Sequence, residues 1–179
     1  AKLLLGKELT KRGFFDSAHE FVLKRNRSEF VARERKGFLG DVNIYEAYAV
    51  LAEHLDVDVD VANGWADEEF AFDLDLAVPR DELVALFNRL GEDGHKLWVI
   101  SDTYYTVDQI ALMLRKVGVS AAHRLMISSD MGLRKDNGTM WAKVKEDLSA
   151  EGISQFVHVG DNAVSDAQMP VSYTHLRAH

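Results

Sequence analysis

The chain has 179 residues, 47% of them hydrophobic, no cysteine and a formal net charge of −8. This composition is typical of a globular protein. It excludes disulfides, thiol nucleophiles and cysteine-based metal sites, and the lack of a long basic run argues against nucleic acid as a partner. No apolar stretch reaches the roughly 18 residues of a membrane span and the start lacks a signal peptide's apolar region, so we expect a soluble, cytoplasmic protein.

The first part of the chain, residues 1–78, is mostly helical in pattern. Between residues 10 and 55, apolar residues recur at three- and four-residue spacing. Asn43 with Glu46 forms a capping box, which predicts that a helix begins before IYEAYAVLAEHL. In residues 56–78 acidic and apolar residues alternate, and this predicts short extended pieces, with EEFAF able to open another helix.

After Pro79 the chain alternates between short apolar strands and amphipathic helices. Because parallel strands need crossover helices, this alternation predicts a parallel sheet covered on both faces, a Rossmann-like α/β sandwich. Thr106 with Gln109 predicts a capped start for the helix after the first strand. The predicted strands are KLWVISD, RLMISS and QFVHVGD, and the predicted helices are DELVALFNRLGEDG, TVDQIALMLRKVGV and GTMWAKVKEDLSAEG.

The first candidate site follows the predicted strand that ends at Ile100. Ser101, Asp102 and Thr103 stand there, at the sheet edge where open parallel sheets bind ligands. A hydroxyl at this place can hydrogen-bond a phosphate oxygen, helped by the amides of a helix N-terminus. The alternative interpretation of Ser101 is an ordinary cap or turn residue.

The second candidate is Lys135, in the loop SSDMGLRK that leads into the helix beginning near Gly138. A lysine beside the sheet edge can neutralise a phosphoryl group and the charge that develops during its transfer. The alternative is a solvated surface lysine, and only the neighbouring candidates favour the functional interpretation.

The third candidate is the loop VGDNAVSD after the predicted strand at residues 156–159. Asp161 and Asp166 stand on a tight glycine turn, and such carboxylates make the oxygen-rich site that Mg²⁺ prefers. The alternative is a turn whose Asp and Asn side chains serve only local hydrogen bonds.

A hydroxyl, a lysine and an acidic pair at the ends of successive strands resemble the motifs of the haloacid dehalogenase-like superfamily. Ser101 matches the second motif, Lys135 the third, and Gly160-Asp161-Asn162 with Ser165-Asp166 the fourth. The helical residues before Pro79 are similar to the C1-type cap of that superfamily. The segments ISDTY, SSDMGLRKDNG and GDNAVSD resemble members that are fused to, or encoded near, glycosyltransferases.

This resemblance implies a Mg²⁺-dependent phosphohydrolase, a phosphomonoesterase that acts through an aspartyl-phosphate. Ser101 and Lys135 would be catalytic and hold the phosphoryl oxygens. Asp161 would bind Mg²⁺, with Asp166 supporting the ion or orienting Lys135. The further residues expected near the substrate are Asp102, Thr103 and Asn162. The implied partners are a small phosphorylated metabolite or sugar phosphate and an associated glycosyltransferase.

The superfamily's first motif is an Asp-x-Asp pair at the end of the central strand, and no such pair precedes the helical part of this sequence. The first aspartate is Asp16, inside a helical pattern. Chain order favours a start downstream of the motif, and the alternative is that AKLLL is a degenerate strand of a pseudoenzyme. In the first case we expect an inactive fragment with exposed apolar faces, marginal stability and aggregation.

The end of the chain also departs from the family. PVSYTHLRAH resembles the translation of a sequencing-library adapter. We therefore expect Pro170 to interrupt the last helix, and we assign His175 and His179 no role in metal binding. The predicted domains are a helical cap at residues 1–78, a partial core at 79–169 and a foreign tail at 170–179.

Two other functions compete with the phosphohydrolase. The first is a non-catalytic pseudophosphatase or interaction module that keeps the shape without turnover. The second is a receiver-like phosphoacceptor domain, which also has a hydroxyl and a lysine at successive strand ends. Receivers lack the later Gly-Asp-Asn loop and the long helical insertion, so the sequence argues against them.

Overall fold

The computed structural model describes residues 1–174, and this part of the chain contains two regions of different architecture. The helical region comprises α1 (Lys2–Lys11), α2 (Ala18–Arg35), α3 (Ile44–Leu55) and α4 (Val59–Leu76). The α/β region comprises α5 (Asp81–Glu92), β1 (Trp98–Ser101), α6 (Val107–Lys116), β2 (Arg124–Ile127), α7 (Ser128–Met131), α8 (Thr139–Ala150), a π-helical turn (Ala163–Gln168) and α9 (Met169–Thr174).

The four helices of the helical region pack around one apolar core. Its central residues come from all four helices and include Leu5, Leu9, Phe21, Tyr48, Leu51 and Trp65, each at most 3% exposed. Complete burial of one such side chain contributes about 1.5–3 kcal/mol. Tyr105 of the α/β region also packs into this core, so the core stabilises the helical region and its contact with the α/β region.

Both capping boxes that the sequence predicts are present. The side chain of Asn43 accepts the N–H of Glu46 at 3.0 Å, and the Glu46 carboxylate accepts the N–H of Asn43 at 2.8 Å. Thr106 and Gln109 make the same reciprocal pair at the start of α6. A cap of this kind stabilises a helix by about 1 kcal/mol. The two predicted helix starts are thus confirmed.

The prediction of short extended pieces in residues 56–78 is wrong, because one long helix, α4, occupies most of this segment. The Asp58 side chain accepts the N–H of Asp60 at 2.7 Å and caps the helix start. The residues that become buried recur at three- and four-residue spacing and are Ala62, Trp65, Ala66, Glu69 and Phe70. Burial of this face outweighs the short alternation at the start of the segment.

The segment AKLLL belongs to a helix as well. Leu5 and Leu9 lie one helical turn apart on α1, and both are fully buried against the other three helices. The interpretation of AKLLL as a degenerate strand is therefore wrong.

The α/β region contains a small parallel sheet. β1 pairs with β2 in parallel, from Trp98 beside Arg124 to Ser101 beside Ile127. A second apolar core, with Met126, Met140 and Trp141 at its centre, packs α8 against the sheet. The predicted α/β class with parallel strands is confirmed in this coarse form.

The third predicted strand, at residues 156–159, is not a strand in the structure. Val157 and Val159 are 77% and 84% exposed, although their apolar character predicts burial. A strand forms only when a neighbour satisfies its backbone N–H and C=O groups. Among the described residues the sheet has two strands, β1 and β2, and neither pairs with this segment.

The prediction that Pro170 interrupts the last helix is also wrong. Pro170 lies in the first turn of α9, and it is buried. Proline is tolerated in the first turn of an α-helix, and the carbonyl of Ser165 in the preceding turn accepts from Nε1 of Trp141. His175 and His179 lie outside the described residues. No helix between residues 1 and 174 is long and apolar enough to span a bilayer.

Candidate functional site

The loop after β1 and the loop that carries Lys135 are joined by a hydrogen bond between main chain and side chain. Ser101 is the last residue of β1, and Asp102 follows it directly. Both carboxylate oxygens of Asp102 accept the backbone N–H of Lys135, each at 3.0 Å. The structure therefore brings the second- and third-motif loops together through the residue next to Ser101.

The Lys135 ammonium is held by a carboxylate from the third candidate loop. Its Nζ donates to Oδ1 of Asp166 at 2.6 Å, and the two side chains are only 13% and 5% exposed. Burial opposes the ionisation of Asp166, but Lys135 and the N–H of Asn162 outweigh it and lower the pKa of Asp166 below its ordinary value. Lys135 is thus a charged group in a fixed position.

A second side chain contacts the same carboxylate. Nε2 of His158 lies 3.3 Å from Oδ1 of Asp166, and the imidazole ring meets the ring of Trp141 edge-on at 4.7 Å. Burial lowers the pKa of His158, although Asp166 opposes this shift. The imidazole is therefore neutral near neutral pH, and His158 packs against the Lys135–Asp166 pair without adding charge.

The turn at residues 160–166 aims Asp166 toward Lys135. The side-chain oxygen of Asn162 accepts the N–H groups of Val164 and Ser165, both at 3.0 Å, which caps the π-helical turn. A Cβ atom on Gly160 would lie 2.5 Å from the Asp166 side chain, so only glycine fits there. The Asn162 side chain thus holds the backbone of this turn in place.

The sequence analysis missed two polar residues behind the loop after β1. The N–H of Thr103 donates to Oγ of Ser128 at 2.8 Å, and the Ser128 hydroxyl donates to Oδ2 of Asp41 at 2.7 Å. The position of Ser128, directly after β2, could have suggested it, because it lies at the same sheet edge as Ser101. Asp41 lies 87 positions from Ser128, in a loop of the helical region, and no local signal predicts this contact.

A cavity of about 270 Å³ lies where the two regions meet. The helical region contributes Glu29, Arg33 and Asp41 to its lining, and the α/β region contributes Asp102, Thr103, Tyr104 and Arg134. Both guanidinium groups are paired: Arg33 with Glu29 and Asp41, each at 3.1 Å, and Arg134 with Asp136. The cavity therefore has a polar lining beside the Asp102–Thr103 turn.

A comparison with family models shows what these motifs belong to. The model of the haloacid dehalogenase-like hydrolases matches residues 5–172 and thus covers both regions. The chain belongs to this family. A search of curated proteins found no match.

Hydrolases of this family generally use Mg²⁺, and the two predicted ligands of the ion are Asp161 and Asp166. Magnesium takes near-octahedral oxygen ligands, several of them water. Asp161 is exposed, whereas both oxygens of Asp166 already accept hydrogen bonds, from Lys135 and from the N–H of Asn162. No three His, Asp or Glu side chains converge on one point anywhere in residues 1–174. These residues alone do not fit a complete magnesium site.

The structure joins some of the predicted site residues to one another and leaves others apart. Asp102, Lys135, Asn162 and Asp166 are joined by hydrogen bonds, while Asp102 and Thr103 border the cavity. Ser101 precedes Asp102 at the end of β1, and Asp161 faces solvent beside Asn162. Among the described residues, the acidic pairs of the Asp-x-Asp type, within residues 56–60 and at 73–75, border or lie within α4 instead of ending a strand.

Proposed function

We propose that this chain provides the phosphate-holding half of a phosphomonoesterase site. The observation that carries the proposal is the fixed position of Lys135, whose ammonium is bound by Asp166 at 2.6 Å and whose N–H is bound by Asp102, the neighbour of Ser101. A positioned cation in a partly buried site stabilises the charge of a phosphoryl group more strongly than a mobile surface lysine does.

The roles that we propose rest on these contacts for Lys135 and Asp166 and on the family resemblance for Ser101. The Lys135 ammonium and the Ser101 hydroxyl bind phosphoryl oxygens, and Asp166 acts by orienting Lys135. Of the two roles that the sequence offers for Asp166, this one agrees with its hydrogen bonds. Asp161 is a carboxylate still available to a Mg²⁺ ion, which would supply further neutralisation of phosphoryl charge.

The helical region acts as the cap in this proposal. It meets the α/β region at the cavity, beside Asp102 and Thr103, where the leaving group of a small phosphorylated metabolite or sugar phosphate would lie. Association with a glycosyltransferase stays a prediction that rests on the amino-acid sequence of the motifs alone.

We also expect that these residues bind phosphate without turning over an ester. The reaction of the family resemblance needs an aspartate nucleophile at a strand end, and no Asp-x-Asp pair occupies that position in residues 1–174. Removal of the covalent step removes most of the rate enhancement, while groups that only bind the phosphoryl oxygens remain. Binding and turnover are therefore separable in this chain.

The test is a phosphate titration of the wild-type chain, followed by ³¹P NMR or isothermal calorimetry, together with Lys135→Met. Loss of the charged hydrogen-bond donor should weaken phosphate binding by about tenfold or more. Lys145→Met is the matched control, because Lys145 is an exposed lysine on α8 and should leave the affinity unchanged. Equal affinities for wild type and Lys135→Met would overturn the proposed site. Hydrolysis of p-nitrophenyl phosphate by the wild-type chain would contradict the expectation of binding without turnover.

A further inference from the structure

One carboxylate of the helical region reaches into the α/β region behind the proposed phosphate site. Asp41 lies in the loop between α2 and α3, and it is only 3% exposed. Its Oδ2 accepts the hydroxyl proton of Ser128 at 2.7 Å, and its Oδ1 accepts from Arg33 at 3.1 Å and from the N–H of Val42 at 3.0 Å. A buried charge is costly unless it is paired in this way.

The Asp41 contact determines what the Ser128 hydroxyl can do. A hydroxyl has one proton, and the charged acceptor at 2.7 Å is closer to the Ser128 oxygen than the carbonyl of Thr103, which lies at 3.2 Å. With its proton directed to Asp41, Ser128 offers a lone pair to the N–H of Thr103, which donates to it at 2.8 Å. Asp41 thus fixes the orientation of the Ser128 hydroxyl, whose oxygen anchors the turn after Asp102 by accepting the N–H of Thr103.

The loop that carries Asp41 is itself docked on the loop that carries Lys135. A Cβ atom on Gly40 would lie 2.7 Å from the carbonyl oxygen of Gly132, so the two backbones approach too closely for any other residue. The side-chain amide of Asn137 also donates to the carbonyl of Leu39 at 3.3 Å. Both ends of the Lys135 loop are therefore in contact with the segment around Asp41.

We propose that Asp41 is a positioning residue of the phosphate site, which fixes the Asp102–Thr103 turn through Ser128 and so holds the Lys135 loop in place. This inference rests on the proposed function for its effect on phosphate. The structural link runs from Asp41 to Ser128, from Ser128 to Thr103, and from the adjacent Asp102 to the N–H of Lys135. The helical region would in this way contribute to the geometry of a site that lies outside it.

Electrostatics and positioning predict opposite effects of Asp41→Asn. Loss of a negative charge near an anion site should by itself strengthen phosphate binding. Asparagine keeps the size of the side chain but replaces one carboxylate oxygen with an amide NH₂ group. The Ser128 hydroxyl then loses the charged acceptor that holds it, and the anchor of the turn weakens. If Asp41 positions the site, Asp41→Asn weakens phosphate binding by roughly fivefold in spite of the favourable charge change.

The matched control is Asp136→Asn, which removes the same charge from a carboxylate near the same cavity. Asp136 is exposed and pairs with Arg134, and it makes no contact with Ser128. Its variant should bind phosphate as tightly as wild type or more tightly. Ser128→Ala should weaken phosphate binding like Asp41→Asn, and the double variant should be no weaker than either, because one chain of contacts is broken in each case.

The backbone N–H signals of Thr103 and Lys135 in ¹⁵N NMR spectra provide a readout that does not depend on phosphate. Both signals should shift in Asp41→Asn and in Ser128→Ala. In Asp136→Asn the Thr103 signal should stay in place, and this signal is the control because Asp136 is the direct neighbour of Lys135. Phosphate affinity that rises in Asp41→Asn as it does in Asp136→Asn would overturn the inference. If wild type bound no phosphate, the proposed function would fail. The two N–H signals would then decide the positioning link alone, and unshifted signals would overturn it.

Discussion

The helical region buries its apolar side chains more completely than the α/β region does. In the helical region, Tyr48, Leu51 and Trp65 are at most 3% exposed, and all four helices contribute to one core. In the α/β region, α5 has no buried residue, and Val157 and Val159 are 77% and 84% exposed. Two strands cannot cover the apolar faces of the helices and loops around them, so stability is concentrated in the first region and the candidate site in the second.

The two regions also use buried ion pairs for different ends. Arg25 and Glu69 are both fully buried among the helices, where Nε lies 3.2 Å from Oε2 and the Tyr48 hydroxyl donates to the same carboxylate. The side chains of Lys135 and Asp166 are 13% and 5% exposed, and they join the loop before α8 to the π-helical turn. The first pair is surrounded by the core, whereas the second holds the cation that we propose binds phosphate.

The largest effect on stability should come from Glu69→Gln. The substitution leaves the Arg25 guanidinium inside the core without its main counter-charge, and breaking a buried pair in this way costs about 3–5 kcal/mol. Urea unfolding followed by far-ultraviolet circular dichroism would measure the loss. Glu53→Gln is the control, because the Arg35–Glu53 pair is exposed and its removal should leave the transition unchanged. Similar losses in the two variants would contradict the burial of the Arg25–Glu69 pair in this core.

A matched pair of leucines sharpens the same comparison. Leu51→Ala in α3 opens a cavity in the helical core and should lower the free energy of unfolding by about 3 kcal/mol. Leu86 in α5 is 42% exposed, so Leu86→Ala should cost less than about 1 kcal/mol. Both changes remove the same atoms from a helix, and the same denaturant curves compare them. A Leu86→Ala loss as large as that of Leu51→Ala would show that α5 has apolar partners.

A smaller, pH-dependent effect should follow from Asp166→Asn. Because the folded state lowers the pKa of Asp166 below its ordinary value of 3.8, the ionised form contributes stability above that value, and this stability is lost as pH falls through the lowered pKa. The difference between wild type and Asp166→Asn should therefore be constant above roughly pH 5 and shrink below about pH 4. Thermal unfolding across this range measures it. A difference that grows toward acid would mean that Asp166 is protonated in the folded state.

The smallest effect on stability should come from serine at the two most exposed valines of the α/β region. Val157→Ser combined with Val159→Ser removes apolar surface that contacts solvent, so the free energy of unfolding should change by less than about 0.5 kcal/mol. The aggregation that we expect of the chain should decrease, because exposed apolar patches drive association. Static light scattering at increasing concentration measures it. Unchanged aggregation would mean that a different surface of the chain drives the association.

Local signals in the sequence were sufficient where the structure is locally determined. The capping pairs Asn43 with Glu46 and Thr106 with Gln109 each span four residues, and both were predicted correctly. The order of Ser101, Lys135 and Asp166 along the chain was likewise sufficient to indicate the family, which the match to residues 5–172 confirms. Their roles in a reaction stay predictions.

Prediction from the sequence failed where contacts between residues far apart in the chain determine the local structure. In α4, burial of Trp65 and Phe70 against other helices overrides the alternating pattern at its start. Residues 156–159 have the composition of a strand but no neighbouring strand to pair with among the described residues. The Asp41–Ser128 contact joins residues 87 positions apart, and only the folded chain reveals it.

The central claim is that a phosphoryl group binds beside Lys135 and Ser101. Crystals soaked in tungstate, a phosphate analogue with strong anomalous scattering, would test it most directly. Our account predicts an anomalous peak within hydrogen-bonding distance of the Lys135 ammonium and the Ser101 hydroxyl, which is lost in Lys135→Met. A peak between Arg33 and Arg134 in the cavity, with none beside Lys135, would contradict the account and move the anion site to the boundary with the helical region.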